Sequence, residues 1–190
     1  ELGWSPFFDD TFGLHRRAGR VPARLIRETP INFGALLEGG EEIEVVLGGK
    51  VWHEAETDAE LPAVGDWVAV EPGGDGEDHV IRARLPRQTC FSRKVPGKSS
   101  EEQVIGANVD VVAVVTDAGP DFNLRRMERY FTLIARSKAL PVVLVNRSDL
   151  YSMEQNQEAA RAIQELNPDS EVHITSAIDQ EGVNVIRGYL

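Results

Sequence analysis

The feature that most constrains the fold is a nearly continuous apolar run at residues 109–115, which holds five valines, one alanine and a single aspartate. Such a run is typical of a strand that is buried on both faces of a parallel sheet. A second run lies at 141–145, and between the two the apolar residues recur at helical spacing. A helix at 153–166, a short strand at 171–174 and a helix from Glu181 complete the series. The β-α-β-α-β-α order predicts a parallel sheet with right-handed crossovers.

The first half of the chain has a different pattern. Short runs rich in valine and isoleucine, separated by glycine and proline, are typical of a small all-β module. Five or six short strands in about 70 residues suit a closed barrel of the OB type, and an SH3-like barrel fits the pattern nearly as well. The predicted strands are 21–27, 31–37, 41–47, 50–55, 66–71 and 79–85.

These patterns divide the chain into four segments. Residues 1–19 form an N-terminal extension, 20–90 the OB-type barrel, 91–103 a basic linker and 104–190 the α/β segment. A length of 190 residues with 42% hydrophobic residues is enough for one large domain or two small ones.

Composition indicates a cytoplasmic protein without a membrane segment, because no stretch approaches 18 consecutive apolar residues and the first residues lack the pattern of a secretory signal. The single cysteine, Cys90, excludes an intrachain disulfide. Four scattered histidines have no metal-ligand spacing, so we predict no metal ligand.

Charge is distributed unevenly along the chain, whose net charge is −11. Residues 38–78 hold thirteen acidic side chains and one lysine, whereas residues 79–100 hold six basic side chains and no acidic one. These six residues are candidates for contacts with RNA phosphates, with ordinary solvated surface charge as the alternative. The candidates are Arg82, Arg84, Arg87, Arg93, Lys94 and Lys98.

Ligands in open parallel sheets sit beyond the carboxyl ends of the strands, and two predicted strand ends carry informative residues. The second strand of the α/β segment ends in Asn146-Arg147-Ser148-Asp149, which resembles the Asn-Lys-x-Asp guanine-specificity motif of GTPases. The third ends in Thr175-Ser176-Ala177, which resembles the Ser-Ala loop that completes the base pocket. Together these seven residues are the predicted guanine-binding set.

The chemistry of guanine explains these residue types. Its N1–H and 2-amino groups are adjacent donors, and the carboxylate of Asp149 can accept both. Asn146 would brace the loop and reach the other edge of the base, while Ser176 holds its own loop and the Ala177 N–H donates to O6. Arg147 stands where lysine is usual, and a guanidinium also stacks on a base.

A GTPase also needs a P-loop, Gly-x-x-x-x-Gly-Lys followed by Ser or Thr, whose N–H groups hold the phosphates. The nearest match is Gly97-Lys98-Ser99. Ser92 stands where the first glycine belongs, and Pro96 removes an N–H donor. We therefore interpret this stretch as a basic turn and expect the chain to lack the phosphate-binding half of a GTP site.

A guanine motif without a P-loop ahead of it, following a β module, resembles the bacterial circularly permuted ribosome-assembly GTPases (RsgA, also called YjeQ or YloQ). The resemblance extends along nearly the whole chain. It rests on residues 2–4, 61–68, 91–94, 102–104, 107–110, 121–126 and 128–130 as well as on the two guanine motifs.

The resemblance implies an OB barrel followed by the first half of a circularly permuted P-loop GTPase domain. It implies GTP with Mg²⁺ as the nucleotide, and Zn²⁺ in a C-terminal domain that lies beyond this sequence. The implied partners are the small ribosomal subunit with its rRNA and GTP or GDP, and we expect a monomer. We predict no catalytic residue within these 190 residues and no GTP hydrolysis by them alone.

Two other classes of protein stay open from the residues alone. One is a non-enzymatic OB-type RNA-binding module with an attached α/β domain. The other is a doubly wound domain for a different small ligand, in which Asn146 and Asp149 are simple turn residues, since both types are common after strands.

Overall fold

A computed structural model describes residues 2–74, 76–94, 102–180 and 182–189. It contains two compact units, residues 1–109 and residues 110–190. The first unit holds a closed β-barrel, an N-terminal helix and a two-stranded sheet, and the second holds a three-stranded sheet with helices.

The barrel has the strand order β1-β2-β3-β5-β4. Strands β3 and β5 pair in parallel, whereas the other neighbouring strands pair antiparallel. A helix, α2, lies between β3 and β4. This arrangement is that of an OB-type barrel, so the fold predicted for the first half is confirmed and the SH3-like alternative is excluded. The elements are β1 Val21–Glu28, β2 Phe33–Leu37, β3 Glu42–Leu47, α2 Gly49–Glu54, β4 Trp67–Glu71 and β5 His79–Arg84.

The barrel interior is filled by side chains from all five strands. Leu25, Val45 and Ile81 are almost fully buried, and each contributes about 1.5–3 kcal/mol relative to an exposed side chain. These strands coincide with the short runs rich in valine and isoleucine from which the barrel was predicted.

One predicted strand is wrong. Residues 50–55 were predicted as one of the short strands of the barrel, but residues 49–54 form the helix α2. The topology supplies a reason: the barrel is closed and β3 already pairs with β2 and β5, so no free strand edge remains beside β3 for a further strand. The chain turns at Gly48, where an added Cβ would lie 2.5 Å from the Ile81 carbonyl oxygen.

The N-terminal extension contains a helix, α1 Pro6–Arg17, that the sequence analysis did not predict. Phe8 and Phe12, one turn apart, are buried in a cluster with Trp67 and Leu85. Trp4 meets Trp67 edge to face, with ring centroids 4.6 Å apart. Aromatic residues therefore attach this helix to the barrel.

Two further strands follow the barrel in the first unit. Strands β6 Cys90–Lys94 and β7 Glu102–Ala107 form a two-stranded antiparallel sheet, so the segment that we assigned to a linker includes most of β6 and the start of β7. Gly65 has a φ of +91°, and a Cβ there would lie 2.0 Å from the Ala107 carbonyl oxygen. Only glycine permits this close approach.

The second unit has the predicted parallel sheet, with the order β10-β9-β8. The central strand β9 is buried from Val142 to Val145, which explains its continuous apolar run. Asn123 caps α3, and Ser152 and Gln155 form a capping box at the start of α4. The elements are β8 Val111–Thr116, α3 Leu124–Ser137, β9 Leu140–Val145, α4 Met153–Leu166, β10 Glu171–Ile174 and α5 Val183–Ile186.

Candidate functional site

The two predicted guanine segments lie side by side at the carboxyl edge of the parallel sheet. Val145 at the end of β9 is in register with Ile174 at the end of β10. The Thr175 N–H donates to the Val145 carbonyl at 2.8 Å, and the Ser148 N–H donates to the Thr175 carbonyl at 3.1 Å. The backbone alone therefore brings these two segments, far apart in sequence, into one surface.

The side chain of Asn146 connects the two segments. Its Oδ1 accepts from the Thr175 hydroxyl at 3.2 Å and from the Ala177 N–H at 3.2 Å. Because the amide oxygen makes both contacts, the amide nitrogen is the end that can donate to a ligand. The carbonyl of Thr116 fixes the Asn146 backbone by accepting its N–H at 2.8 Å.

The carboxylate of Asp149 is oriented by Ser176. The Ser176 hydroxyl, which is fully buried, donates to Asp149 Oδ1 at 2.7 Å, and it accepts from the Asp179 N–H at 3.1 Å. A carboxylate oxygen can accept more than one hydrogen bond, so both oxygens of the exposed Asp149 remain able to accept from a ligand.

Asn156, which the sequence analysis did not identify, stabilises the loop that carries Asp149 by hydrogen bonds to its backbone. Ser148–Leu150 form a turn of 3-10 helix. Asn156, on α4 and only 3% exposed, donates to the carbonyls of Ser148 at 3.0 Å and of Tyr151 at 3.2 Å. A polar residue at a core position of an amphipathic helix is the signal that could have identified it.

Arg147 is the departure from the usual lysine, and it has a partner that sequence reasoning also missed. Its backbone is left-handed, with φ +62°. Its Nη1 donates to Asp117 Oδ2 at 3.2 Å. Asp117 directly follows β8, so it is the third strand end at this edge of the sheet.

The predicted RNA-contact residues lie in different surroundings. Arg82 makes two hydrogen bonds to Glu71, at 3.0 and 2.7 Å, and they lower the pKa of that carboxyl. Arg84 donates to the carbonyls of Glu60 and Leu85, and burial followed by the charge of Arg87 lowers its pKa. Arg93 and Lys94, at the end of β6, are exposed. Lys98, with the rest of the Gly-Lys-Ser match, lies outside the described residues.

Arg87 is committed to the interior of the first unit. Its side chain is 10% exposed, and it pairs with Asp66, which is fully buried. Burial by itself lowers the pKa of Arg87, but the hydrogen bonds and the charge of Asp66 raise it above the ordinary value. The acceptors of its guanidinium are Asp66 Oδ1 at 2.8 Å, Asp66 Oδ2 at 2.7 Å, the carbonyls of Ala59 at 2.6 Å and Leu61 at 2.9 Å, and Cys90 Sγ at 3.7 Å.

A guanidinium has five N–H donors, and these five contacts use all of them. No N–H of Arg87 is left for an RNA phosphate in this arrangement. We therefore revise the expectation for Arg87 from an RNA contact to a structural ion pair.

The described residues hold neither a metal-ion cluster nor a membrane-spanning helix. No group of three or more His, Cys, Asp or Glu among residues 2–74, 76–94, 102–180 and 182–189 is placed to hold a metal ion. Within the same ranges, no helix is long and apolar enough to cross a bilayer.

This chain is similar to known RsgA GTPases. The RsgA GTPase family model matches residues 84–190. The small ribosomal subunit biogenesis GTPase RsgA of Opitutus terrae is 38% identical over 197 aligned positions, which cover 100% of this chain and 53% of that protein. The protein of the same name from Syntrophotalea carbinolica is 36% identical, with the same two coverages. The chain thus spans about half the length of these curated relatives.

Solved structures of the same fold are also similar. The crystal structure of YjeQ from Thermotoga maritima matches 90% of this chain and 57% of that chain with a TM-score of 0.68 and 22% identity. The crystal structure of YloQ, a circularly permuted GTPase, matches 90% of this chain and 56% of that chain with a TM-score of 0.65 and 18% identity. These likenesses support the fold, and the family model covers more than half of the sequence. The chain belongs to the RsgA GTPase family.

Proposed function

We propose that this chain is the guanine-reading and RNA-contacting part of a GTPase that acts in the biogenesis of the small ribosomal subunit. The observation that carries the proposal is the pair of contacts between the two strand-end segments. Ser176 orients the carboxylate of Asp149, and Asn146 accepts from the Ala177 N–H. The names of the relatives supply the biological process, and the family favours this function over a non-enzymatic RNA-binding module.

The roles of the residues follow from hydrogen-bond chemistry. Asp149 accepts from the N1–H and the 2-amino group of guanine, and the hydrogen bond from Ser176 orients that carboxylate. Asn146 uses its amide nitrogen toward the base. The Ala177 N–H donates to Asn146 Oδ1 in this arrangement, so its part is to hold the Asn146 amide rather than to contact O6 as the sequence analysis expected. An adenine has no 2-amino donor and carries an acceptor at N1, so it would leave the carboxylate unpaired.

Hydrolysis is assigned to the intact protein. Phosphoryl transfer depends on backbone N–H groups, a lysine and Mg²⁺ around the phosphates. The 190 residues contain no complete P-loop sequence. No cluster of the described residues is fitted to hold Mg²⁺, so we derive no step through that ion. We propose that this chain supplies the base contacts of the site and that the phosphate contacts come from the remainder of the protein.

The test is a nucleotide-preference experiment on the intact protein, which carries the phosphate-binding segment. In competition binding we expect the wild type to prefer GTP over xanthosine triphosphate. Asp149→Asn replaces a carboxylate that only accepts with an amide that both donates and accepts, so the affinity for GTP should fall about 10- to 100-fold. The affinity for xanthosine triphosphate, whose 2-oxo group needs a donor, should rise.

The matched control is Asp169→Asn, which makes the same chemical change in an exposed turn of the same unit. It should leave the preference unchanged. If Asp149→Asn keeps the wild-type preference for GTP, Asp149 does not read the base and the proposal is wrong.

A further inference from the structure

Asp117 lies where the nucleotide site meets a third strand. It follows Thr116, the last residue of β8, and the Thr116 carbonyl accepts the Asn146 N–H at 2.8 Å. The end of β8 is thus hydrogen-bonded to the first residue of the Asn-Arg-Ser-Asp segment. Neither the guanine motifs nor the phosphate-binding chemistry gives Asp117 a role.

The carboxylate of Asp117 is held on both oxygens. Oδ1 accepts the Gly119 N–H at 3.0 Å, and Oδ2 accepts from Arg147 Nη1 at 3.2 Å. Gly119 lies so close to the Tyr151 ring that an added Cβ would be 2.3 Å from the tyrosine oxygen. The Asp117 side chain is 21% exposed, whereas that of Arg147 is 58% exposed. The better-buried, backbone-anchored carboxylate of Asp117 thus holds the more exposed guanidinium of Arg147.

We propose that Asp117 is a positioning residue that holds the guanidinium of Arg147 as a flat platform for one face of the purine base. This inference rests on the proposed function, because it assumes that a base lies beside Asn146 and Asp149. An arginine side chain has many rotamers, and restricting them in advance lowers the entropy lost when a ligand binds. A guanidinium whose plane is already fixed can stack on an aromatic ring with little further ordering.

The ion pair is too exposed to be explained by stability, since pairs of this kind contribute little to folding. Its effect should therefore appear in nucleotide affinity, as a specific relation between the affinities for two nucleotides. A platform contacts the face of a base and does not read its edge. Loss of the platform should weaken guanosine and inosine nucleotides by the same factor, although inosine lacks the 2-amino group that Asp149 would bind.

The experiment is a double-mutant cycle on the intact protein, with GTP and ITP affinities measured by calorimetry. Asp117→Asn is isosteric and removes the charge that holds Arg147. We expect it to weaken both nucleotides about two- to fivefold, the range of a partly exposed ion pair, with the GTP-to-ITP ratio unchanged. In an Arg147→Met background the same change should have no further effect, and Asp117→Glu, which retains a carboxylate, should recover part of the affinity.

Two further variants distinguish failure of the proposed function from failure of the platform inference alone. Glu154→Gln, an exposed charge removal at the start of α4, should leave both affinities unchanged. Asp149→Asn should change the GTP-to-ITP ratio, because it alters the edge contact. If Asp149→Asn leaves that ratio unchanged, or the wild type binds neither nucleotide, the proposed function fails and this inference fails with it.

With the edge contact intact, three results overturn the platform alone. They are an equal loss from Asp117→Asn in the Arg147→Met background, a GTP-to-ITP ratio that changes with Asp117→Asn, and tighter binding after Asp117→Asn. The last result would mean that Asp117 holds Arg147 away from the base.

Discussion

The Asp66–Arg87 pair provides the sharpest test of how the first unit is held together. Asp66 is fully buried, and it also accepts from the Ala63 N–H at 2.8 Å. Replacing Arg87 with methionine preserves much of the apolar stem but leaves a buried carboxylate without its counter-charge. Breaking a buried pair in this way costs about 3–5 kcal/mol, because the remaining charge is desolvated and uncompensated. Such a loss is a large fraction of the 5–15 kcal/mol that is typical of domain stability.

The assay can isolate the unit that contains the pair. All three tryptophans, Trp4, Trp52 and Trp67, lie within residues 1–109. Tryptophan fluorescence during urea unfolding of the 190-residue chain therefore reports on the first unit alone. We expect Arg87→Met to lower the free energy of unfolding by about 3–5 kcal/mol. Arg87→Lys keeps the charge but loses the bidentate hydrogen bonding to Asp66. Its free energy of unfolding should therefore lie between those of Arg87→Met and the wild type.

Arg82→Met is the matched control, since it removes an arginine whose partner Glu71 is at the surface. It should shift the unfolding midpoint only slightly. The reasoning is refuted if Arg87→Met unfolds within about 1 kcal/mol of the wild type, or if the two variants are equally destabilised. Either result would mean that Arg87 is not committed to a structural ion pair and is again a candidate for RNA contact.

Four other predictions follow from the described contacts. Asn156→Ala removes the donor to the Tyr151 carbonyl and leaves the Ser148 carbonyl with the Tyr151 N–H at 3.4 Å. It should therefore destabilise the second unit by about 1–3 kcal/mol and reduce the preference for GTP over xanthosine triphosphate, as measured by unfolding and competition binding. Burial, and then the charge of Arg20, lower the pKa of His15 below its usual 6.5. The folded state thus binds fewer protons, and stability should fall as the pH drops below about 6.5, a dependence that His15→Gln should flatten in melts at pH 8 and pH 5.5. Replacing Arg93 and Lys94 with glutamine should weaken small-subunit binding and reduce its salt dependence by about one unit of slope per lost phosphate contact; equal sedimentation at every salt concentration would make them ordinary surface residues. Residues 1–190 alone should release no phosphate from GTP and bind it in the millimolar range, because about 4–15 kcal/mol of ordering cost is offset only by base contacts; micromolar affinity in calorimetry would contradict this.

Features that depend on neighbours in sequence were available from the sequence alone. The apolar run of β9 and the helical spacing of α3 reflect local periodicity, and both elements lie where they were predicted. The Asn146 and Thr175 segments could be identified for a related reason: a strand end is a local feature, and in a parallel sheet neighbouring strand ends meet at one edge. The helix α1 was not predicted, although Ser5 and Pro6 are start signals and basic residues fill its last turn.

Tertiary structure decided the features that depend on partners distant in sequence. Residues 50–55 were predicted as a strand, yet both edges of β3 are already paired in the closed barrel, and a helix forms there. Arg87 belongs to a basic stretch, but its charge is neutralised by Asp66, 21 residues earlier. Asp117 meets Arg147 across 30 residues. The type of a residue gives its charge and its capacity for hydrogen bonds. The packing of the folded chain decides whether that group faces solvent, a ligand or a buried partner. Packing decides this because burial sets the free-energy cost of leaving a polar group unpaired.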